Sequence, residues 1–174
     1  MNEYLSKASK VAKASKEGQE GQEGQEGQVK QVAQPARKQL RVESPLSPDI
    51  ERLVYGLIGI GMRVHSAFGP GLRESVYEDA YVIGLEEADM SYQRQVPFNV
   101  KYLGRSVRPI RIDLVVEDKV IVELKAVTQL HDIHSSQLMT YLKLTGIPVG
   151  LLLNFNMRHL KEGIRRHIRS RDPA

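Results

Sequence analysis

Glu123 and Lys125 are the residues from which chemistry is most readily built. In Val122-Glu123-Leu124-Lys125, strand alternation puts Glu123 and Lys125 on one face and turns Val122 and Leu124 into the core. A carboxylate and an ammonium side by side near the end of a strand suit metal-assisted hydrolysis. The carboxylate holds a divalent cation, while the lysine orients a water and stabilises developing negative charge. Standing alone, Glu-x-Lys is far more often a surface ion pair on a half-exposed strand.

A second acid, Asp113, lies in Arg111-Ile112-Asp113-Leu114-Val115-Val116, ten residues before Glu123. Whether the two carboxylates meet depends on the connection Glu117-Asp118-Lys119. A two-residue turn would pair Val116 with Lys119 and send Asp113 and Glu123 to opposite faces. A three-residue loop or a bulge would pair Val116 with Val120 and bring the acids to one face, with Lys119 expected in the left-handed conformation. A shared site therefore requires the odd connection; otherwise Asp113 merely caps or solvates its strand.

A third acid, Glu74, follows Gly71-Leu72-Arg73 in the first turn of an expected helix, where the helix dipole alone would favour it. Tyr77 and Tyr81 continue its stripe at spacings typical of core aromatics. Gln137 and Tyr141 are four apart on a later helix and share a face with His134. A Gln amide and a Tyr hydroxyl suit the floor of a cleft. His131 and His134 also allow a metal pair, but without cysteine or a second His pair a structural zinc site is disfavoured.

The elements that must carry these residues follow from periodicity. Ser47-Pro48 reads as an N-cap and first helical residue. Ile50, Leu53, Val54, Leu57 and Ile58 carry helical spacing to about Phe68, where Gly69-Pro70-Gly71 stops it. A second helix is expected from near Leu72 to about Ala88. Alternation at Val96–Tyr102, Ile110–Val116 and Val120–Leu124 predicts three strands. A helix from about Ile133 to Leu144 and a buried strand from Val149 to Leu153 follow. Leu160 to Ile168 reads as a closing basic amphipathic helix. The order αα-βββ-α-β-α is an α/β domain over residues 47–170.

Residues 1–46 read as a disordered tail. Glu17 to Gln28 repeats EGQ four times, which offers nothing to bury, and Met1 to Lys16 allows a weak amphipathic helix at most. No run of eighteen apolar residues is present, and the N-terminus lacks a signal-peptide core. The absence of cysteine suits a reducing cytoplasm. The net charge of +4 is uneven: residues 49–157 carry eleven basic and thirteen acidic residues, whereas residues 158–174 carry six and two. Basic ends can hold a phosphate backbone by displacing counterions, or can simply be solvated.

The acid, acid, Glu-x-Lys and Gln-x-x-x-Tyr elements, in that order, resemble the PD-(D/E)XK nucleases, and Gln-x-x-x-Tyr resembles their RecB-like branch. GLRESVY matches Gly-x-x-Glu-x-x-Tyr at Gly71, Glu74 and Tyr77. IVELKAV, IHSSQLMTYLKLTG and GLLLNFNMRHLKEGIRR also look like the GxxExxY family. The likeness spans roughly residues 50–169. Arg73 stands where an apolar residue is expected.

The resemblance implies a restriction-endonuclease-like αβββαβ core with a central mixed sheet flanked by helices. It implies metal-dependent phosphodiester hydrolysis of nucleic acid, or a non-catalytic nucleic-acid or protein-binding module on the same scaffold. Glu74, Asp113, Glu123 and the Leu124 carbonyl would hold Mg²⁺ or Mn²⁺, and oxygen-only ligands suit such hard cations. Lys125 would position the attacking water. Gln137, Tyr141 and Tyr77 would support the cleft, and Arg165 and Arg166 would grip the phosphate backbone.

Overall fold

The computed structural model describes residues 44–169. The EGQ repeats, the Lys- and Ala-rich segment before them and the last five residues lie outside the described residues.

Helix α1, Pro48–Phe68, starts as the sequence dictates: Pro48 takes the first turn and the Ser47 hydroxyl accepts from the Ile50 N–H. Helix α2, Glu74–Glu86, begins two residues later than its pattern suggests. The delay is caused by the Gly69–Leu72 loop, in which Gly69 and Gly71 take positive φ that other residues resist.

Strand β1 is Tyr92–Phe98 rather than the expected Val96–Tyr102: the run leaves the sheet after Phe98, which pairs with Ile110, and Tyr102 belongs to a small separate hairpin, β2 (Lys101–Tyr102) and β3 (Arg105–Ser106). Strand β4, Ile110–Val116, strand β5, Val120–Lys125, helix α3, Asp132–Thr145, and strand β6, Val149–Asn154, complete the expected series. The five-stranded sheet has the order β1-β4-β5-β6-β7, where β7 is Ile164–Ile168. Only β5 and β6 are parallel, as the α3 crossover between them requires, so the sheet is mixed.

Both faces of the sheet are covered. Leu57, Ile60, Tyr81 and Leu85 of α1 and α2 pack on Leu114, Val122, Leu124, Leu151 and Leu153. On the other face, Leu138 and Leu142 of α3 pack on Ile112, Ile121 and Leu152. Strand β5 is thus buried along both sides, not half-exposed, and a polar group on it must be accommodated inside the protein.

Residues 160–168 correct the expected closing helix. Leu160–Glu162 is a single 3₁₀ turn and Ile164–Ile168 is the strand β7. A spacing of four between Ile164 and Ile168 suits a helix face and a strand face equally, so periodicity alone cannot decide. Gly163 decides it: a Cβ there would lie 2.5 Å from the Asn154 carbonyl oxygen, so the chain passes hard against β6 and pairs with it. Successive strand residues point to opposite faces. Arg166 reaches the first turn of α1 to form a two-pronged pair with Glu51, whose carboxyl is held below its usual value mainly by that contact. Arg165 donates to the carbonyls of Glu162 and Ile164. The two arginines therefore do not present one joint surface.

Candidate active site

The connection after β4 sets the site. Val116 pairs with Val120 and Leu114 with Val122, so Glu117-Asp118-Lys119 is the odd, three-residue connection. Glu117 and Asp118, rather than Lys119, take the left-handed φ values, 52° and 53°, and the Lys119 N–H returns to the Val116 carbonyl. Their φ signs are those of a type I′ turn, with Lys119 the extra residue.

Beyond Leu114 and Val122 the β4–β5 ladder ends, while β5 stays paired to β6 as far as Lys125 and Asn154. The two strands part at Asp113. Alternation also breaks there, correcting the simple pattern expected for β4. Ile110 and Ile112 face α3, whereas Leu114 and Val116 face α1 and α2. The opposing residue on β1, Gln95, has φ 52°, which is where the face switches. Asp113 fills the gap: its Oδ2 accepts the Leu124 backbone N–H at 3.0 Å, in place of a strand carbonyl.

Glu123 is 2% exposed. Its Oε1 accepts from Lys125 Nζ at 2.8 Å and from Gln137 Nε2 at 3.4 Å. Its Oε2 is buried with no hydrogen-bond partner. Lys125 Nζ also reaches the Leu124 carbonyl at 3.0 Å and lies 3.9 Å from Asp113 Oδ2. The ammonium thus sits between the two carboxylates. Glu74 enters from the first turn of α2 and lines the same cleft, a space of about 750 Å³ shared with Asp113, Glu123, Lys125 and Gln137.

Electrostatics follow from this crowding. Burial, reinforced by the charge of Asp113, pushes Glu123 up to about 7 despite Lys125 beside it. Burial likewise raises Asp113, although the Leu124 N–H opposes the shift. Burial raises Glu74 too, against the pull of Lys125. For Lys125, burial alone would favour the neutral amine, but the charge and hydrogen bond of Glu123 prevail and the ammonium is held.

Supporting residues divide into two groups. Gln137 lines the cleft and donates to the Tyr141 hydroxyl at 2.6 Å, so buried Tyr141 lies behind it. Tyr77 is fully buried, outside the cleft. Its hydroxyl donates to the Gly69 carbonyl and accepts the Leu72 N–H, and its ring stacks on Phe155 at 4.6 Å. Tyr77 thereby pins the loop that delivers Glu74. His131 and His134 cap α3 together, His134 Nδ1 accepting the His131 N–H, which accounts for their spacing without a metal.

Several residues of the site escape a reading of the sequence. Buried Glu78, one turn after Glu74, accepts from Arg94 and Gln95 at the cleft wall. Arg73 and Arg111 supply exposed cations at the cleft. Asn154 is fully buried and holds both the N–H and the carbonyl of Val127, bracing the chain after Lys125. A lone polar residue ending the apolar run Val149–Leu153 is the signal that could have found Asn154.

A scan against protein-family models matches residues 51–167 to the PD-(D/E)XK nuclease superfamily, more than half of the chain. The chain belongs to that superfamily, and its mixed sheet flanked by three helices is the restriction-endonuclease-like fold. Neither curated proteins nor solved structures give a significant match. Among the described residues, no helix is long and apolar enough to cross a membrane.

The residues present can be tested against a divalent cation. As they stand, no three His, Asp or Glu side chains among the described residues lie close enough to hold a metal; Lys125 takes up the space between two of them. The chemistry of the site nonetheless fits one. Its donors are carboxylate and carbonyl oxygens, the choice of Mg²⁺ and Mn²⁺. Glu123 Oε2 is left without a partner although Lys125 holds Oε1, so one buried carboxylate oxygen stays available to a cation.

Proposed function

We propose that this protein is a metal-dependent nuclease of the GxxExxY type, hydrolysing phosphodiesters of nucleic acid in a reducing cytoplasm. The observation that carries the reading is the buried Glu123 and half-buried Asp113 gathered around a charged Lys125 at the point where β4 and β5 part. Burying acids is costly, and a cluster of charged groups drawn together in a cleft in spite of that cost marks a candidate site of chemistry.

Glu74, Asp113, Glu123 and the Leu124 carbonyl would hold Mg²⁺ or Mn²⁺, which supplies an acidified water and neutralises charge on the phosphoryl oxygens. Lys125, which lines the cleft beside Glu123, would orient the water and oppose charge building on the phosphate. Gln137 restrains Glu123 and is itself set by Tyr141. Tyr77 holds the loop from which Glu74 projects. Arg73 and Arg111 draw the phosphate backbone into the cleft; Arg166, committed to Glu51, and Arg165, on the other face of β7, act at most singly.

Incubation of plasmid DNA and of a structured RNA with the protein tests this. Cleavage should require Mg²⁺ or Mn²⁺ and stop with a chelator. No cleavage of either, with any divalent cation, favours a second reading: a non-catalytic nucleic-acid-binding module. The placement of Lys125 between the acids, with no ready metal-binding group of three among the described residues, is the observation on that side.

A further inference from the structure

Between Asp89 and Asp113 the chain carries five basic residues and no acidic one, although residues 49–157 as a whole are net negative. Arg94 is spent on Glu78 and Asp79. The other four, Lys101, Arg105, Arg108 and Arg111, form no ion pair among the described residues. Three of them lie on or beside the β2–β3 hairpin, and the fourth, Arg111, lines the cleft two residues from Asp113.

The hairpin is not part of the core. Every residue from 101 to 109 is exposed. A lone two-stranded ribbon is marginal in water, so its sequence is not explained by folding. Its tip makes the point more sharply. Leu103 and Gly104 both take positive φ, 49° and 76°. Asn or Asp would be at ease at the first position, yet it holds leucine, 84% exposed, beside Tyr102, 70% exposed. Backbone strain and an apolar surface are both retained at one solvent-facing spot, which is the signature of a contact surface.

We propose that this hairpin is a DNA-binding wing that engages a duplex beside the cleft. The choice of nucleic acid as ligand rests on the nuclease reading above. Lys101, Arg105 and Arg108 match a phosphate backbone in charge, and a two-stranded ribbon fits the major groove of B-form DNA. The deep, narrow major groove of duplex RNA excludes such a ribbon. Tyr102 and Leu103 supply apolar contact at the groove wall. At about 3.4 Å per extended residue, Arg105 lies at most roughly 27 Å from Asp113, so the wing contacts the duplex at a point set apart from, but within reach of, the bond to be cut.

Binding of the full chain to a duplex DNA of two to three helical turns, in EDTA over a range of salt, tests the wing. The triple variant Lys101→Ala/Arg105→Ala/Arg108→Ala should weaken binding at least tenfold and lower the salt slope by about 2–3. Leu103→Asn should leave the Tm unchanged or raise it, because Asn accepts the turn, while weakening duplex binding several-fold. Duplex RNA and the single strand should bind more weakly than duplex DNA. Unchanged affinity and slope in the triple variant, or equal affinity for the single strand, would overturn the proposal. Cleavage keeps the two readings apart. If the wild type cuts with Mg²⁺ and the triple variant binds and cuts equally well, the wing fails and the nuclease stands. If nothing is cut but duplex binding depends on the hairpin, the nuclease fails and the wing stands.

Discussion

Lys125→Ala should lower the rate of metal-dependent cleavage by about 10²–10³-fold at saturating metal and substrate, the usual cost of removing one preorganised charge at a reacting centre. Lys125 sits inside the acidic group: 2.8 Å from Glu123, 3.9 Å from Asp113 and largely buried. The charge and hydrogen bond of Glu123 hold its proton against the pull of burial. The loss should fall on the chemical step, not on binding, since Arg73, Arg111 and the hairpin lie outside the change. Lys125→Arg should rescue little, because a planar guanidinium cannot stand in for a compact ammonium in so narrow a gap. Single-turnover kinetics measure this directly. A rate within a few-fold of wild type would remove Lys125 from the chemistry.

Glu123→Gln should make the cation-free protein more stable at pH 8, by on the order of 3 kcal/mol, or roughly 10 °C in Tm. The sign follows from linkage. Glu123 has a folded pKa of about 7 against an unfolded value near 4.5. The folded state therefore binds this proton more tightly than the unfolded chain between those values. Stability is greatest below the lower value, falls as pH rises through the window, and is level above it. Asp113 and Glu74 are raised by burial as well and act in the same direction. Glutamine, neutral at every pH, removes the Glu123 share, so the gap between variant and wild type should open from pH 4.5 to 7 and then hold. Thermal melts across that range, with a chelator present, measure it. A variant less stable than wild type at pH 8 would mean that the ionised carboxylate is already well accommodated by Lys125.

Much of this site is legible in the amino-acid sequence. Parity on β5 places Glu123 beside Lys125, and the length of the connection at 117–119 reduces the meeting of Asp113 with Glu123 to a choice between two registers. Which residues take the left-handed turn is not legible, nor is the change of face in β4 at Asp113, because that depends on Gln95 across the ladder. Burial of β5 is hidden for a similar reason: the α3 face that covers Ile121 and Glu123 belongs to a distant segment. The closing helix fails because Leu160, Ile164 and Ile168 satisfy two periods, and only the contact of Gly163 with β6 chooses between them. Averaging charge over the whole domain conceals the basic hairpin, which the acid-free interval before Asp113 reveals.

At the centre of the proposed function, Glu74, Asp113 and Glu123 would hold a divalent cation. Titrating Mn²⁺ into the cation-free protein while following the Tm tests this most directly. A cation that binds only the folded state should stabilise wild type by about 2.7 kcal/mol at a hundredfold excess over its dissociation constant. Asp113→Asn, which relieves repulsion among the acids, should match or exceed wild-type stability without metal and show little or no shift with it. No shift in wild type at millimolar Mn²⁺, or an equal shift in Asp113→Asn, would contradict cation binding and leave the acids and Lys125 as a buried structural network.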